Sequence, residues 1–459
     1  MSVAPASPSR PSADGITSRQ AGIALAVLLL TYMMSYIDRT ALGVLQEPVK
    51  RELGLSDWQI GLLSGPVFAI LYSTMSLPIA RLAEHYSRSR IIALCLFFWS
   101  LMTLLCGLAQ SYAHLLLARV GVSIGEAGGN PASHSLIADL FPPERRGRAL
   151  AIYTFGVPVG AFLGAALAGW LAHLWGWRAA FLMLGPVGFL LVGLVLLLIP
   201  HVPRGRFDPA PVDARPPPML TVLRLLAANA AFRQFAAGAS LVVLVGYGIA
   251  AFLPSFLVRV HRLDIGTVGL VAGLINGAAA GIGTLFGGFA VDRFGKRDIR
   301  SYGWIPAAMT LIAAPCFVLG FIAGGLLPAT LLLMAGTACI YTYIAPTFAQ
   351  VHAMVDARMR ATAASVMFLI INLIGLGLGP PLIGLVSDRV SQASFGGASR
   401  QSFALACGKE PAASLAASCQ AASAAGIRAG MVAISLILLG GAVHLYLAGN
   451  RLASQRLRG

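Results

Sequence analysis

Four ionisable residues stand inside two stretches of sequence that carry no other Asp, Glu, Lys or Arg. They are Asp38 and Arg39 in the first, and Arg119 and Glu126 in the second. Asp38 and Arg39 are neighbours in Ser35-Tyr-Ile-Asp-Arg-Thr. Adjacent helical residues point about 100° apart, so each needs a further partner. Arg119 and Glu126 are seven residues apart, which on a helix is two turns and about 10 Å of rise on one face, with Ser123 between them. Carboxylates and guanidinium groups in such surroundings can exchange protons, grip an anion, or simply pair with each other. Burial and a neighbouring guanidinium act in opposite senses on a carboxyl group. The sequence therefore leaves open whether Glu126 or Asp38 changes protonation, and a static ion-pair network is the alternative.

The elements that must position these groups are membrane helices. The chain is 57% hydrophobic and 11% charged, with a mean hydropathy of +0.79, whereas a soluble domain carries about 25% charged residues. Apolar runs long enough to cross about 30 Å of hydrocarbon recur along the whole length. Short alternating segments of the β-barrel kind are missing. Twelve spans are expected near 20–46, 58–80, 91–110, 112–138, 147–172, 177–200, 232–259, 265–291, 300–323, 327–352, 359–388 and 424–448. The predicted fold is an all-α membrane protein of two six-helix bundles related by pseudo-twofold symmetry.

A net charge of +16 would point to nucleic acid in a soluble protein. Here Lys and Arg concentrate in the termini and in the loops after spans 2, 4, 6, 8 and 10. That asymmetry places both termini in the cytoplasm and assigns the charge to topology, with no nucleic-acid partner. Residues 1–18, rich in Ser and Pro, read as disordered. The Pro- and Arg-rich stretch within 201–230 reads as a cytoplasmic linker between bundles at 19–200 and 231–450, and 451–459 as a cytoplasmic tail. Cys95, Cys106, Cys316 and Cys339 fall in spans, where apolar packing is the default. Cys407 and Cys419 share the long loop after span 11; a disulfide and two free thiols are both open.

Two local matches indicate duplication. Ala80-Arg-Leu-Ala-Glu84-His-Tyr-Ser-Arg88 resembles Gly288-Phe-Ala-Val-Asp292-Arg293-Phe-Gly295-Lys296. Glu144-Arg145-Arg-Gly-Arg148-Ala resembles Asp356-Ala-Arg-Met-Arg360-Ala. The pairs share nearly one offset, as parallel repeats about an axis along the membrane normal would. Glu84, Arg88, Arg145, Asp292, Arg293 and Gly295 are candidates for a cytoplasmic gate, with plain topology signals as the alternative. Small residues repeat every fourth position in spans 2 (Gly61, Gly65, Ala69, Ser73) and 5 (Gly156, Gly160, Gly164, Ala168), and glycines cluster in spans 8 and 11. Such stripes let helices approach closely. Their equivalent places in the two repeats point to a moving contact, with static packing as the alternative.

The second half contributes almost no buried charge. Its candidate cavity groups are Tyr247, Asn276, Tyr343 and Asn372, which join Ser123 of the first half. A cavity charged on one wall and apolar on the other suits an amphipathic solute. Strings that look catalytic are declined. Gly121-Val-Ser-Ile-Gly125 fits G-x-S-x-G but needs a strand–turn–helix elbow. There is no Walker A sequence or HExxH, and the eight His do not cluster as metal ligands. No cofactor, metal or enzymatic activity is expected.

From residue 20 to 450 the chain resembles the major facilitator superfamily, and within it the spinster-like branch. The resemblance is carried by Tyr36-Ile-Asp-Arg39, by 52–65 (Glu-Leu-Gly-Leu-Ser-Asp-Trp-Gln-Ile-Gly-Leu-Leu-Ser-Gly) and by 118–127 (Ala-Arg-Val-Gly-Val-Ser-Ile-Gly-Glu-Ala). Ile137–Pro142, Arg146–Tyr153 and Gly176–Phe181 add to it. The resemblance implies that Asp38, Arg39, Arg119 and Glu126 form the family's charged cluster. It also implies proton-linked export or movement of lysophospholipids or sphingosine-phosphate-like lipids; a bacterial inner-membrane location and a monomer are expected. Ala80, Glu84, His85 and Ser87 depart from the superfamily's usual Gly, Asp, Arg and Gly. Gly125-Glu-Ala-Gly-Gly-Asn-Pro-Ala132 is also similar to anion:cation symporters of sugar acids, which keeps an organic-anion substrate as the second reading. A transporter-fold receptor without net flux is the third.

Overall fold

The computed structural model describes residues 16–204, 206–207, 219–356, 359–395, 403–407 and 412–456. Residues 1–15 and 208–218, read above as disordered segment and linker core, lie outside the described residues. Among the described residues every regular element is a helix.

Span 1 is Ser18–Leu53. Thr17 starts it with a capping box: its hydroxyl accepts from Gln20 N, and Gln20 Oε1 accepts from Thr17 N, satisfying two amides that the first turn would otherwise leave unpaired. Gly54 ends it in the left-handed region at φ 69°, where a Cβ would be strained. Span 2 comprises Asp57–Ser64 and Pro66–His85, broken at Gly65. Span 3 is Arg88–Gly107, and span 4 is Tyr112–Ala127 continued by Gly129–Leu140. Pro143–Thr154 leads into Gly156–Leu198, which holds spans 5 and 6 on either side of a sharp turn at Gly176 (φ 83°).

In the second half, span 7 is Ala230–His261. Span 8 runs Ile265–Gly273, a π-helical Leu274–Ala279, then Ala280–Phe294. Span 9 is Ser301–Ile322, and span 10 is Leu326–Tyr341 with Ile344–Ala353. Span 11 is Arg360–Phe395, and span 12 is Ala416–Ser435 with Ile437–Arg456. Ten stretches are long and apolar enough to cross a membrane. The count of twelve is reached because one of them contains both spans 5 and 6, and because span 4 is interrupted at Gly128. Span 12 begins eight residues earlier than the sequence pattern indicated.

The halves touch through the spans that the small residues marked. A Cβ on Gly61 would come within 2.8 Å of Pro380 O, and one on Gly65 within 2.7 Å of Leu376 O, so span 2 lies against span 11. Span 8 lies against span 5 through Gly269, whose Cβ would stand 2.3 Å from Ala165 O, and through Gly277 beside Phe162 and Pro158. The fourfold stripe of span 5 does something else. Gly156, Gly160 and Gly164 pack on Leu29, Met33 and Ile37 of span 1 within the first half. The face of span 5 that meets the other half is Pro158, Phe162, Ala165 and Gly169.

Cys407 and Cys419 are joined by a disulfide, closing a small apolar cluster with Phe395, Ala406 and Ala422. The other four cysteines are free.

Candidate functional site

Spans 1 and 4 bring Arg39 and Glu126 together: Arg39 Nε donates to Glu126 Oε2 at 2.6 Å. The Glu126 side chain is fully buried, while Arg39 keeps 21% of its side-chain surface. Its guanidinium lies 5.1 Å from the Tyr36 ring centre, 4.6 Å from Phe68 and 4.8 Å from Tyr72. An aromatic face is electron-rich and attracts a cation by about 0.5–2 kcal/mol per contact, more as water is excluded. These rings therefore hold Arg39 even when its carboxylate is engaged elsewhere. Glu126 Oε1 has no hydrogen-bond partner. The pair lines a crevice with Tyr32, Tyr72, Trp99, Asn130 and Tyr153. Arg39 also sits within electrostatic reach of Tyr247, from the opposite half.

Asp38 points the other way, as adjacency on a helix requires. It is buried inside the first bundle, accepts from Thr103 Oγ1 at 3.2 Å, and is within electrostatic reach of Arg119. Arg119 is equally buried and lies 5.6 Å from the Phe68 ring centre. Arg39 and Glu126 thus form an ion pair on the crevice wall, with Asp38 and Arg119 behind it, unbonded to each other but both within electrostatic reach of Glu126, and with Phe68 close to both guanidinium groups. Ser123 does not reach the cavity. It is fully buried and its hydroxyl donates to Arg119 O at 2.8 Å. Gly121 and Gly125 abut Met102 and Trp99 of span 3, so span 4 has the tight side and the polar side expected, and G-x-S-x-G lies in mid-helix.

In the second half Tyr247 donates to Asn372 Oδ1 at 3.2 Å, and Asn372 Nδ2 donates to Phe368 O. Tyr343 is buried. Asn276 lies partly exposed in the π-helical turn of span 8, a distortion of the kind often found at functional sites.

A second charged cluster, not picked out from the sequence, closes the end of the molecule where spans 1 and 7 finish. Arg259 of span 7 donates to Glu47 Oε1 (2.8 and 2.6 Å) and to both oxygens of Asp57 (2.6 Å each). Lys50 and Ser387 also donate to Asp57. Asp388 of span 11 accepts from the amides of Asp57 and Trp58 at the start of span 2. Gln46 donates to Ser255 Oγ and Ala251 O. Arg259, Glu47 and Asp57 are all buried. Each lies near the end of a span, and only the meeting of the two halves makes them a cluster.

The profile of the Major Facilitator Superfamily matches residues 28–380. The chain belongs to the major facilitator superfamily. It is similar to an MFS-type efflux pump of Mycolicibacterium smegmatis, at 37% identity over 83% of this chain and 87% of that one. A probable L-galactonate transporter of Escherichia coli is 27% identical over 82% and 86%. Among solved structures, a bacterial homolog of the human lysosomal transporter Spinster, in an inward-facing and unoccupied conformation, superposes with a TM-score of 0.87 at 31% identity, covering 96% of this chain and 99% of that one. The chain is thus a membrane transporter of Spinster type, as the sequence resemblance implied.

Among the described residues the gate candidates Arg88 and Arg145 make no hydrogen bond or ion pair to Asp292 or Arg293. Arg88 is buried within the first half, pairing with Asp139 and donating to Ser135 and Val202 O. Arg145, Asp292 and Arg293 are exposed, and Asp292 and Arg293 have no side-chain partner among the described residues. Gly295 ends span 8 against the Tyr302 ring. The side chain of Glu84 lies outside the described residues. Among the described residues no group of His, Cys, Asp and Glu is arranged to hold a metal.

Proposed function

We propose that this superfamily member is a proton-coupled secondary transporter that moves amphipathic lipids, of the lysophospholipid or sphingosine-phosphate type, across the bacterial inner membrane by alternating access. The observation that carries this reading is the Arg39–Glu126 pair on an aromatic cavity wall. A proton on Glu126 removes the charge that holds Arg39, and leaves a guanidinium, still seated on three rings, free for an anionic headgroup. A carboxylate on Glu126 reclaims Arg39 and expels that headgroup. Proton and substrate thereby act through one guanidinium. Asp38 and Arg119, one layer behind, transmit the change to the packing of span 1 on spans 3 and 4.

Alternating access needs a seal at one end at a time. The Arg259–Glu47–Asp57 cluster, which ties span 7 to spans 1 and 2, fits that role, and the described gate candidates at the opposite end are not bonded to one another. By the Lys/Arg distribution the sealed end faces away from the cytoplasm, and both termini are cytoplasmic. The cavity is then open inward, the arrangement named for the Spinster homolog.

In this scheme the proton and the headgroup are held together and cross in the same direction. The L-galactonate transporter favours the second reading, an organic-anion or sugar-acid symporter in which Arg39 grips a carboxylate. Flux in proteoliposomes decides between them. Movement of lysophospholipid without hexonate or hexuronate uptake supports the lipid reading, and the reverse sinks it. Binding of either with no flux leaves a receptor.

A further inference from the structure

Beside the Arg39–Glu126 pair, three residues form a hydrogen-bond chain whose direction can be worked out. Tyr153 donates to Asn130 Oδ1 at 2.7 Å, and Asn130 Nδ2 donates to Tyr32 OH at 3.3 Å. The 2.7 Å contact has the length of an O–H···O bond, whereas 3.3 Å is just beyond the usual N–H···O range, so it is the short Tyr153 bond that favours the amide this way round. Tyr153 is buried, and its ring stacks on Tyr32 at 4.5 Å with 5° between planes. Tyr36 holds the Tyr32 ring edge-on at 5.4 Å. A phenol has one proton and can also accept. The Tyr32 oxygen already accepts from Asn130, so its own proton is left to donate; the Tyr36 hydroxyl one turn away is its resting acceptor, at more than ordinary hydrogen-bond length, so a ligand oxygen in the crevice can replace it. Tyr32 is partly exposed in the crevice that also holds Arg39 and the unpartnered Glu126 Oε1.

We propose that Tyr32, oriented by Asn130 and Tyr153, is a second substrate-binding group that donates a hydrogen bond to an uncharged oxygen of the headgroup whose anionic part sits at Arg39. This rests on the reading that the cavity takes an anionic amphiphile, and it narrows the class. Tyr32 and Arg39 are two turns apart on span 1, about 10 Å along the helix. The favoured ligand therefore carries, besides its charge, a hydroxyl or ester acceptor several bonds away, as a glycerol-bearing lysophospholipid does and a simple alkyl phosphate does not. Asn130 and Tyr153 are positioning residues. Without the Tyr153 hydroxyl the amide is free to turn its oxygen to Tyr32 and capture the proton meant for the ligand.

The test uses the full-length protein in detergent micelles and two probes, hexadecyl phosphate and 1-palmitoyl lysophosphatidylglycerol, with binding followed by tryptophan fluorescence (Trp99 lines the crevice). Tyr32→Phe is expected to weaken lysophosphatidylglycerol roughly five- to tenfold, the loss of one hydrogen bond, and to leave hexadecyl phosphate unchanged. Tyr153→Phe is expected to do the same without touching the ligand, and Tyr32→Phe/Tyr153→Phe to be no worse than Tyr32→Phe. Equal weakening of both probes, or of neither, with the wild type binding both, overturns the assignment of Tyr32 alone. A wild type that binds neither probe overturns the anionic-amphiphile reading and this assignment with it. Thermal unfolding of each variant within a degree or two of wild type excludes a folding defect.

Discussion

Replacing Arg259 by Leu is the most incisive perturbation of the sealed end. Arg259 makes four hydrogen bonds to Glu47 and Asp57, and all three residues are buried. Removing one partner of a buried ion pair costs about 3–5 kcal/mol, because the charge left behind stays out of water. Here two carboxylates remain with Lys50 as the nearest cation. The cost falls on the sealed conformer; once the halves part at this end, Glu47 and Asp57 hydrate. At about 1.4 kcal/mol per tenfold, even the lower figure shifts the sealed-to-open ratio by roughly a hundredfold. The readout is a cysteine at Ser255, which is fully buried against Gln46, in a background lacking the four free cysteines. Its reaction with a membrane-impermeant maleimide added to the non-cytoplasmic side should accelerate by about two orders of magnitude in Arg259→Leu, and much less in Arg259→Lys. An unchanged rate in a variant that still binds lipid would refute the claim that this cluster seals the cavity.

A Cβ on Gly384 would stand 2.4 Å from Asp57 O across the interface of spans 11 and 2. Gly384→Ala, costing about 1–3 kcal/mol by overpacking, should accelerate the same labelling roughly ten- to hundredfold, whereas Gly147→Ala, which meets nothing within 4 Å, should not. Arg39→Lys keeps the charge but loses the planar group seated on Tyr36, Phe68 and Tyr72; flux should fall at least tenfold, with thermal stability nearly unchanged. Asp264, between spans 7 and 8, accepts from Thr267 and Gly266 and has its carboxyl held below the ordinary carboxylate range by those hydrogen bonds. A depressed value means the cap is complete above the unfolded carboxyl pKa of about 4 and fades as pH falls through the folded value. Asp264→Ala should therefore speed hydrogen exchange at the Gly266 and Thr267 amides roughly fivefold at neutral pH, and less at pH 3.

What could be read in advance divides along a physical line. Apolar length and charge asymmetry are local properties, and they sufficed for twelve spans and the four charges inside them. Helical periodicity placed Arg119 and Glu126 on the polar side of span 4 and the glycines on the other. It could not tell that Ser123 would spend its hydroxyl on its own helix, nor that Arg39 rather than Arg119 would take Glu126, because both depend on the rotation of span 1 against span 4. Glu47, Asp57 and Arg259 escaped notice because each sits where a charged residue is cheap, near the end of a span. They acquire meaning only when sequence-distant helices meet. Tyr32, Asn130 and Tyr153 are individually ordinary in a membrane helix, and their significance lies in a bond direction set by three-dimensional contact. The stripe in span 5 is a true packing signal, but it lies against span 1 inside the first half and not at the contact between the halves.

The central claim is that Glu126 links proton state to substrate movement through Arg39. It is tested most directly by lysophosphatidylglycerol flux in proteoliposomes, measured with and without an imposed pH gradient, for the wild type and for Glu126→Gln and Asp38→Asn. The account predicts a gradient-stimulated rate in the wild type and, in Glu126→Gln, a residual rate indifferent to the gradient. Wild-type, gradient-dependent flux in both variants would contradict it.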